Sequence, residues 1–182
     1  MSAMRNRVAS ATTTNSQKLA VSSIFCAVAV VGSLFSFPIL GSQCSPIQHM
    51  VNILCGVLLG PLYGLATAFV ASLIRNLLGL GSLLAFPGSM FGALVCGVIY
   101  RKTKKIFLAL LGEVCGTSIL GGLCAYPMAI LFMGRASHHL SFYVYVVPFL
   151  ISTATGAIIS GVLLYALKNS GRLHAMEESL NR

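Results

Sequence analysis

Apolar residues run along this chain in long stretches, separated by short polar, glycine or proline punctuation. Read as helices, the stretches number six. The first covers Lys18 to Leu40, with Phe37-Pro38 marking its end. An uncharged loop, Gly41 to Pro46, leads into a second helix from Pro46 to Leu59. That helix is short for a hydrocarbon core of roughly 30 Å, so it is expected to tilt or to begin below the surface. Gly60-Pro61 makes a tight break, and the third helix follows from Leu62 to Leu78. Glycines and Pro87 disfavour a helix through GLGSLLAFPG, Gly79 to Gly88, which is predicted as an apolar lid or re-entrant loop. The fourth helix, Ser89 to Tyr100, ends at the basic loop Arg101 to Lys105. The fifth runs from Ile106 to Met133, with a kink expected near Pro127. A loop, Gly134 to Leu140, carries Arg135, His138 and His139. The sixth helix spans Ser141 to Leu167 and holds Pro148 in its first part. Residues 1–17 are polar and predicted to be a disordered tail, and 169–182 form a second polar tail. Between them, 18–168 form one six-helix domain.

Composition turns six apolar helices into a membrane protein. Of 182 residues, 57% are hydrophobic and 8% charged, and mean hydropathy is +0.89. A soluble domain carries about a quarter of its residues as charges. Helices rather than a β-barrel follow from the length of the apolar runs, since barrel strands alternate over short segments. The fold class is therefore an all-α integral membrane bundle. Six cysteines (Cys26, Cys44, Cys55, Cys96, Cys115 and Cys124) form no CxxC pair, and five sit inside apolar runs. They read as small apolar side chains.

The net charge of +9 would fit nucleic acid if it were clustered on a soluble face. Instead the basic residues flank the apolar runs, as in cytoplasmic loops of membrane proteins. With the N-terminus inside, Arg5, Arg7, Lys18, Arg101, Lys102, Lys104, Lys105, Lys168, Arg172 and Arg182 are cytoplasmic. Only Arg75 and Arg135 fall in the outer half. This bias supports an even number of crossings, with both termini cytoplasmic.

That orientation places the polar ends of the second and third helices together, near the outer surface. Gln48, His49 and Asn52 open one, and Arg75 and Asn76 close the other. Ser89 begins the fourth helix at the same level, and Tyr126 reaches outward on the fifth. His49 and Asn52, three apart, share a helix face. Singly, each has a structural explanation: Arg75 snorkels to the interface, or the asparagines bridge helices. Together they are costly in lipid and point to a small-molecule pocket. Glu113 is the only acidic residue before Glu177, with Thr117 one turn further on the same face beside the small stripe Gly112-x3-Gly116. A lone carboxylate in a span is a functional-site candidate, so Glu113 and Thr117 are candidate substrate or structural residues. The assumed orientation places Glu113 in the inner half, apart from the outer cluster, which favours packing or coupling over direct binding.

Catalytic motifs are absent: the sequence has no GxSxG, HExxH, paired carboxylates or P-loop. No cofactor or metal is called for. With no P-loop, the chain cannot use ATP by itself.

The segments SPIQHMVNILCGVLLGPLYG, SLIRNLLGLGSLLAFPGSMFGALVCGVIYR and GEVCGTSILGGLCAYP cover roughly Cys44 to Arg101 and Gly112 to Pro127. They resemble the blocks of the ThiW family, among the S components of energy-coupling factor (ECF) vitamin importers. The resemblance implies a substrate-binding subunit in a prokaryotic plasma membrane. Its ligand would be the thiazole precursor of thiamine, hydroxyethylthiazole. Delivery would pass through a transmembrane coupling protein driven by two ATPases. It further implies that small residues of the first helix contact the coupling protein. The nearest match is Ser23-x3-Ala27, beside Ser22-x3-Cys26. A small, neutral aromatic ligand suits an apolar pocket with a few polar groups. Gln48, His49, Asn52, Arg75, Asn76 and Ser89 would bind its ring nitrogen or hydroxyl, and Phe86 or Tyr126 would stack on the ring. A carrier for another small heteroaromatic compound, an anionic thiazole held by Arg75, and an intramembrane enzyme using His49 or Glu113 remain open alternatives.

Overall fold

The computed structural model describes residues 15–39, 43–132, 134, 141 and 143–180 in full, and the backbone alone of 2–14, 42, 133 and 181. Arg135, His138 and His139 lie outside the described residues. The described residues are all-α apart from one small hairpin. Helix α1 covers Ser2–Gly32 and is followed by a single 3-10 turn, Ser33–Phe35. The polar stretch before Lys18, expected to be disordered, is thus the start of α1. Strands β1 (Phe37–Ile39) and β2 (Ser42–Cys44) pair antiparallel, with Phe37 opposite Cys44. Then come α2 (Pro46–Leu58), α3 (Pro61–Leu77) and α4 (Ala85–Thr103). Next, α5 (Ile106–Cys115), a π-helical segment (Gly116–Gly121) and α6 (Gly122–Met133) form one apolar rod. Helices α7 (Val146–Asn169) and α8 (Arg172–Asn181) complete the chain. Among the described residues, three stretches are long and apolar enough to cross a membrane: Asn15–Phe35, Ile106–Phe132 and Val146–Asn169.

Four local readings change. Pro87 does not keep its segment out of a helix, because it is the third residue of α4. Amides of a first helical turn have no intrahelical partner, so proline is tolerated there. Pro148 occupies the same position in α7, which starts at Val146 rather than Ser141. The irregularity in the fifth rod falls at Gly116–Gly121, ahead of Pro127, which lies inside α6. The polar C-terminal segment is a helix: Leu173 and Leu180 of α8 are buried in the main core, and Lys104 pairs with Glu177 at 3.3 Å.

Helix α2 is the centre of the bundle. From Gln48 to Leu58 every residue but Met50 is buried, against α1, α3, α4 and α7. The α2–α3 break depends on Gly60, whose φ of 93° is a left-handed conformation that disfavours side chains. Pro61 then supplies the first turn of α3. The cleft beside this break is lined by Lys18, Tyr63, Tyr100, Arg101 and Lys104, and Lys104 and Lys168 share the adjoining one. One end of the bundle thus gathers Lys18, Arg101, Lys104 and Lys168.

Helix α4 lies directly against the fifth rod through backbone contact. A Cβ on Gly121 would sit 2.6 Å from Gly88 Cα, and one on Gly116 would sit 2.9 Å from the Phe91 carbonyl. This close approach brings the side chains of α2, α4 and α5 within hydrogen-bonding reach at the middle of the bundle.

Candidate functional site

The polar residues of α2 lie on its first two turns, because Pro46 is its first residue and the chain enters from β2. Gln48, His49 and Asn52 are all buried. Arg75 lies in the last turn of α3, where the helix dipole favours a cation. It is only 2% exposed, and its Nη1 donates to Gln48 Oε1 at 2.9 Å. Snorkelling to an interface is therefore not what Arg75 does.

Glu113 belongs to this cluster. Its carboxylate is fully buried, and Oε1 lies 3.1 Å from His49 Nδ1. Asn52 Nδ2 donates to the same oxygen at 3.0 Å, and Thr117 Oγ1 donates at 3.4 Å. The expectation that Glu113 sits apart, in the opposite half, is overturned. Helix α2 is only 13 residues, about 20 Å long, so its first turn lies well inside the bundle rather than at its rim. His49 stands nine residues above the end of α2, about 14 Å, and Glu113 seven above the start of α5, about 11 Å. The two are nearly level. Thr117 reaches the cluster from the π-helical segment, an irregularity common at functional sites.

Asn52 Nδ2 also donates to the Ser89 carbonyl at 3.1 Å, and the Ser89 hydroxyl lies 2.9 Å from that of Ser72. Four helices are joined through these bonds. Several buried polar atoms nevertheless lack a partner among the described residues: Gln48 Nε2, Asn52 Oδ1, Arg75 Nε and Glu113 Oε2. Each such group costs about 1–3 kcal/mol in an apolar interior. A cluster of them marks a place built for something else to complete.

A cavity opens beside the cluster, walled by Gln48, His49, Arg75, Ser89 and Thr117 on one side and by Ser45, Phe149 and Ser152 on another. Its empty volume, mouth included, is about 410 Å³, of which about 30 Å³ is deep enough to take the centre of a water molecule. The enclosed part is therefore water-sized, and a ring compound enters only when the walls move apart.

The other expected residues fall elsewhere. Asn76 is half-buried and donates to the carbonyls of Ser72 and Ser82, pinning the α3–α4 turn. Phe86 packs on Phe69, with ring centres 5.6 Å apart, and Tyr126 is half-buried on α6; neither lines the cavity. The cavity's aromatic wall is Phe149, which the sequence reading missed. A hint was present: Phe149 and Ser152 are three apart near a proline, at the start of a helix. Gly88 makes room for that ring, since a Cβ there would lie 2.9 Å from Phe149 Cε2.

On α1 the small residues divide. Ser22 and Cys26 are buried toward the bundle, whereas Ser23 and Ala27 are exposed. Ser23, Cys26 and Ala27 line an open apolar groove with Val70 and Ile74 of α3. All six cysteines are free. Among the described residues no three His, Cys, Asp or Glu side chains are grouped to hold a metal ion.

A family profile described as thiamine-precursor transporter protein (ThiW) matches residues 19–170. The chain belongs to the ThiW family. The matched range takes in every helix that contributes to the buried cluster and its cavity. The family is one of transporters, in agreement with a chain that carries no catalytic motif. No curated protein and no solved structure matches the chain.

Proposed function

We propose that this ThiW-family chain is the substrate-capture subunit of an ECF-type importer, and that it takes up hydroxyethylthiazole from outside the cell. In this reading the bundle crosses a prokaryotic plasma membrane six times, with both termini cytoplasmic. One observation carries the proposal. The cavity opens beside the start of α2, whereas Lys18, Arg101 and Lys104 line a cleft beside the end of that helix. Basic residues collect on the cytoplasmic side, so the cavity faces outward. Its composition suits the ligand: Phe149 offers a face to the ring, and Gln48, His49 and Arg75 offer hydrogen bonds to its nitrogen and hydroxyl. The hairpin and the α3–α4 turn flank the cavity, and ligand entry requires them to move outward.

The chain binds no ATP of its own in this scheme, and energy comes from a coupling protein with two ATPases. Ser23 and Ala27, on the exposed face of α1, are the residues proposed to meet that partner. The test is direct binding. Purified protein titrated with hydroxyethylthiazole should give saturable heat, and native mass spectrometry should show the bound mass. Folded protein that binds no thiazole overturns the proposal.

A further inference from the structure

We infer that Glu113 sets the hydrogen-bonding polarity of the cavity through His49, so that the site selects a ligand that donates a hydrogen bond there: an alcohol over its ether. This rests on the thiazole-capture reading and deepens it. The argument begins at Glu113 Oε1, which faces His49 Nδ1, Asn52 Nδ2 and Thr117 Oγ1. An amide nitrogen can only donate, so Oε1 accepts. Glu113 is the acid in a cluster that also buries the cation Arg75, and its charged form offsets that cation. A carboxylate facing Nδ1 places the ring proton on that nitrogen.

The other ring nitrogen then decides what the cavity offers. His49 lines the cavity, and among the described residues its hydrogen bond is made through Nδ1, to Glu113. The cluster already holds one cation, Arg75, and one anion, Glu113. A second cation would leave a surplus charge in an apolar interior, which is costly. The ring is accordingly neutral, and Nε2 turns a lone pair toward the cavity. Gln48 and Arg75 line the same cavity, and Gln48 Nε2 and Arg75 Nε, sealed until its walls part, are donors without acceptors among the described residues. The site thus takes a donor at His49 and an acceptor at Gln48 and Arg75. A hydroxyl and a ring nitrogen on one small molecule satisfy both.

Glu113 touches no ligand in this scheme; it is a positioning residue. The test compares hydroxyethylthiazole with its methyl ether, which keeps the acceptors and loses the O–H. Calorimetry on the full-length protein in detergent should give a wild-type preference for the alcohol of at least about tenfold. In Glu113→Met the ring is free to exchange tautomers and present an N–H. The alcohol-to-ether ratio should then fall by more than about threefold. The extra methyl is the same in both proteins, so steric effects cancel in that comparison. Side-chain ¹⁵N spectra of the wild type should show His49 protonated at Nδ1. A wild-type ring protonated at Nε2, or a ratio unchanged within about threefold in the variant, overturns the inference. If Glu113→Met does not fold, the wild-type spectrum and ratio decide, and a ratio near one overturns it. Absence of binding by either thiazole to folded wild type fails the capture reading instead, a distinguishable result.

Discussion

Gly92→Ala adds one methyl group at the closest point between α4 and the buried cluster. The new Cβ would lie 2.7 Å from Glu113 Oε1 and 2.8 Å from Glu113 Cδ, and would overlap Thr117 Oγ1. Neither neighbour is the loose end of a flexible chain. Glu113 is tethered by His49 and Asn52, and Thr117 is held in the π-helical segment. Overpacking of this kind costs about 1–3 kcal/mol, and breaking a hydrogen bond to the carboxylate costs a further 1.5–3 kcal/mol or so. Better helix propensity returns about 1 kcal/mol. The net loss is roughly 1.5–5 kcal/mol, with the cavity distorted at the same time.

The control is Gly161→Ala in α7. There the added Cβ meets only Leu110 Cδ1, at 3.2 Å, the far end of a flexible side chain. Propensity dominates, and the variant should match or exceed the parent by up to about 1 kcal/mol. Thermal unfolding in detergent reads both variants, and calorimetry reads thiazole affinity. Gly92→Ala should unfold at a clearly lower temperature and bind at least about tenfold more weakly, whereas Gly161→Ala should do neither. A Gly92→Ala protein with parental midpoint and affinity would show that α4 and α5 do not meet as described.

Other substitutions separate the roles of the remaining residues. Asn52→Leu removes the donor shared by Glu113 and the Ser89 carbonyl, and should cost about 2–4 kcal/mol in detergent unfolding. Arg75→Met leaves Gln48 Oε1 without its partner and should weaken thiazole binding by about tenfold or more, as read by calorimetry. Lys104→Gly relieves a left-handed backbone at φ 55°, roughly 1 kcal/mol, and gives up an exposed pair with Glu177 worth less than about 1 kcal/mol. No loss of stability is expected; a lower unfolding midpoint would mean that the α8 contact holds more than a surface pair does. Ser23→Leu fills the α1–α3 groove from its exposed side, and should abolish thiazole uptake by cells while leaving binding by purified protein intact.

The order of the helices was legible because apolar runs and Gly-Pro punctuation are local properties. Gly60-Pro61 specifies its break within two residues, and no distant contact is needed to explain it. Pro87 and Pro148 misled for the opposite reason. A proline forbids a helix interior and suits a helix start, and which applies depends on where the preceding turn ends. The polar cluster was legible in Gln48, His49, Asn52 and Arg75, since each stands out against an apolar background. Phe149 was not, because one more phenylalanine among ten carries no contrast. The division between outer and inner residues failed at Glu113, and the cause is a matter of lengths. Charge bias tells which way a helix points, not how deep its end lies. A helix of 13 residues cannot reach both faces of a core roughly 30 Å thick, so its polar start sinks to mid-depth. There it meets the acid on α5. Helix α2 thereby carries hydrogen-bonding groups deep into the bundle at the floor of a cavity, where an unpaired donor or acceptor binds most selectively because water does not compete for it.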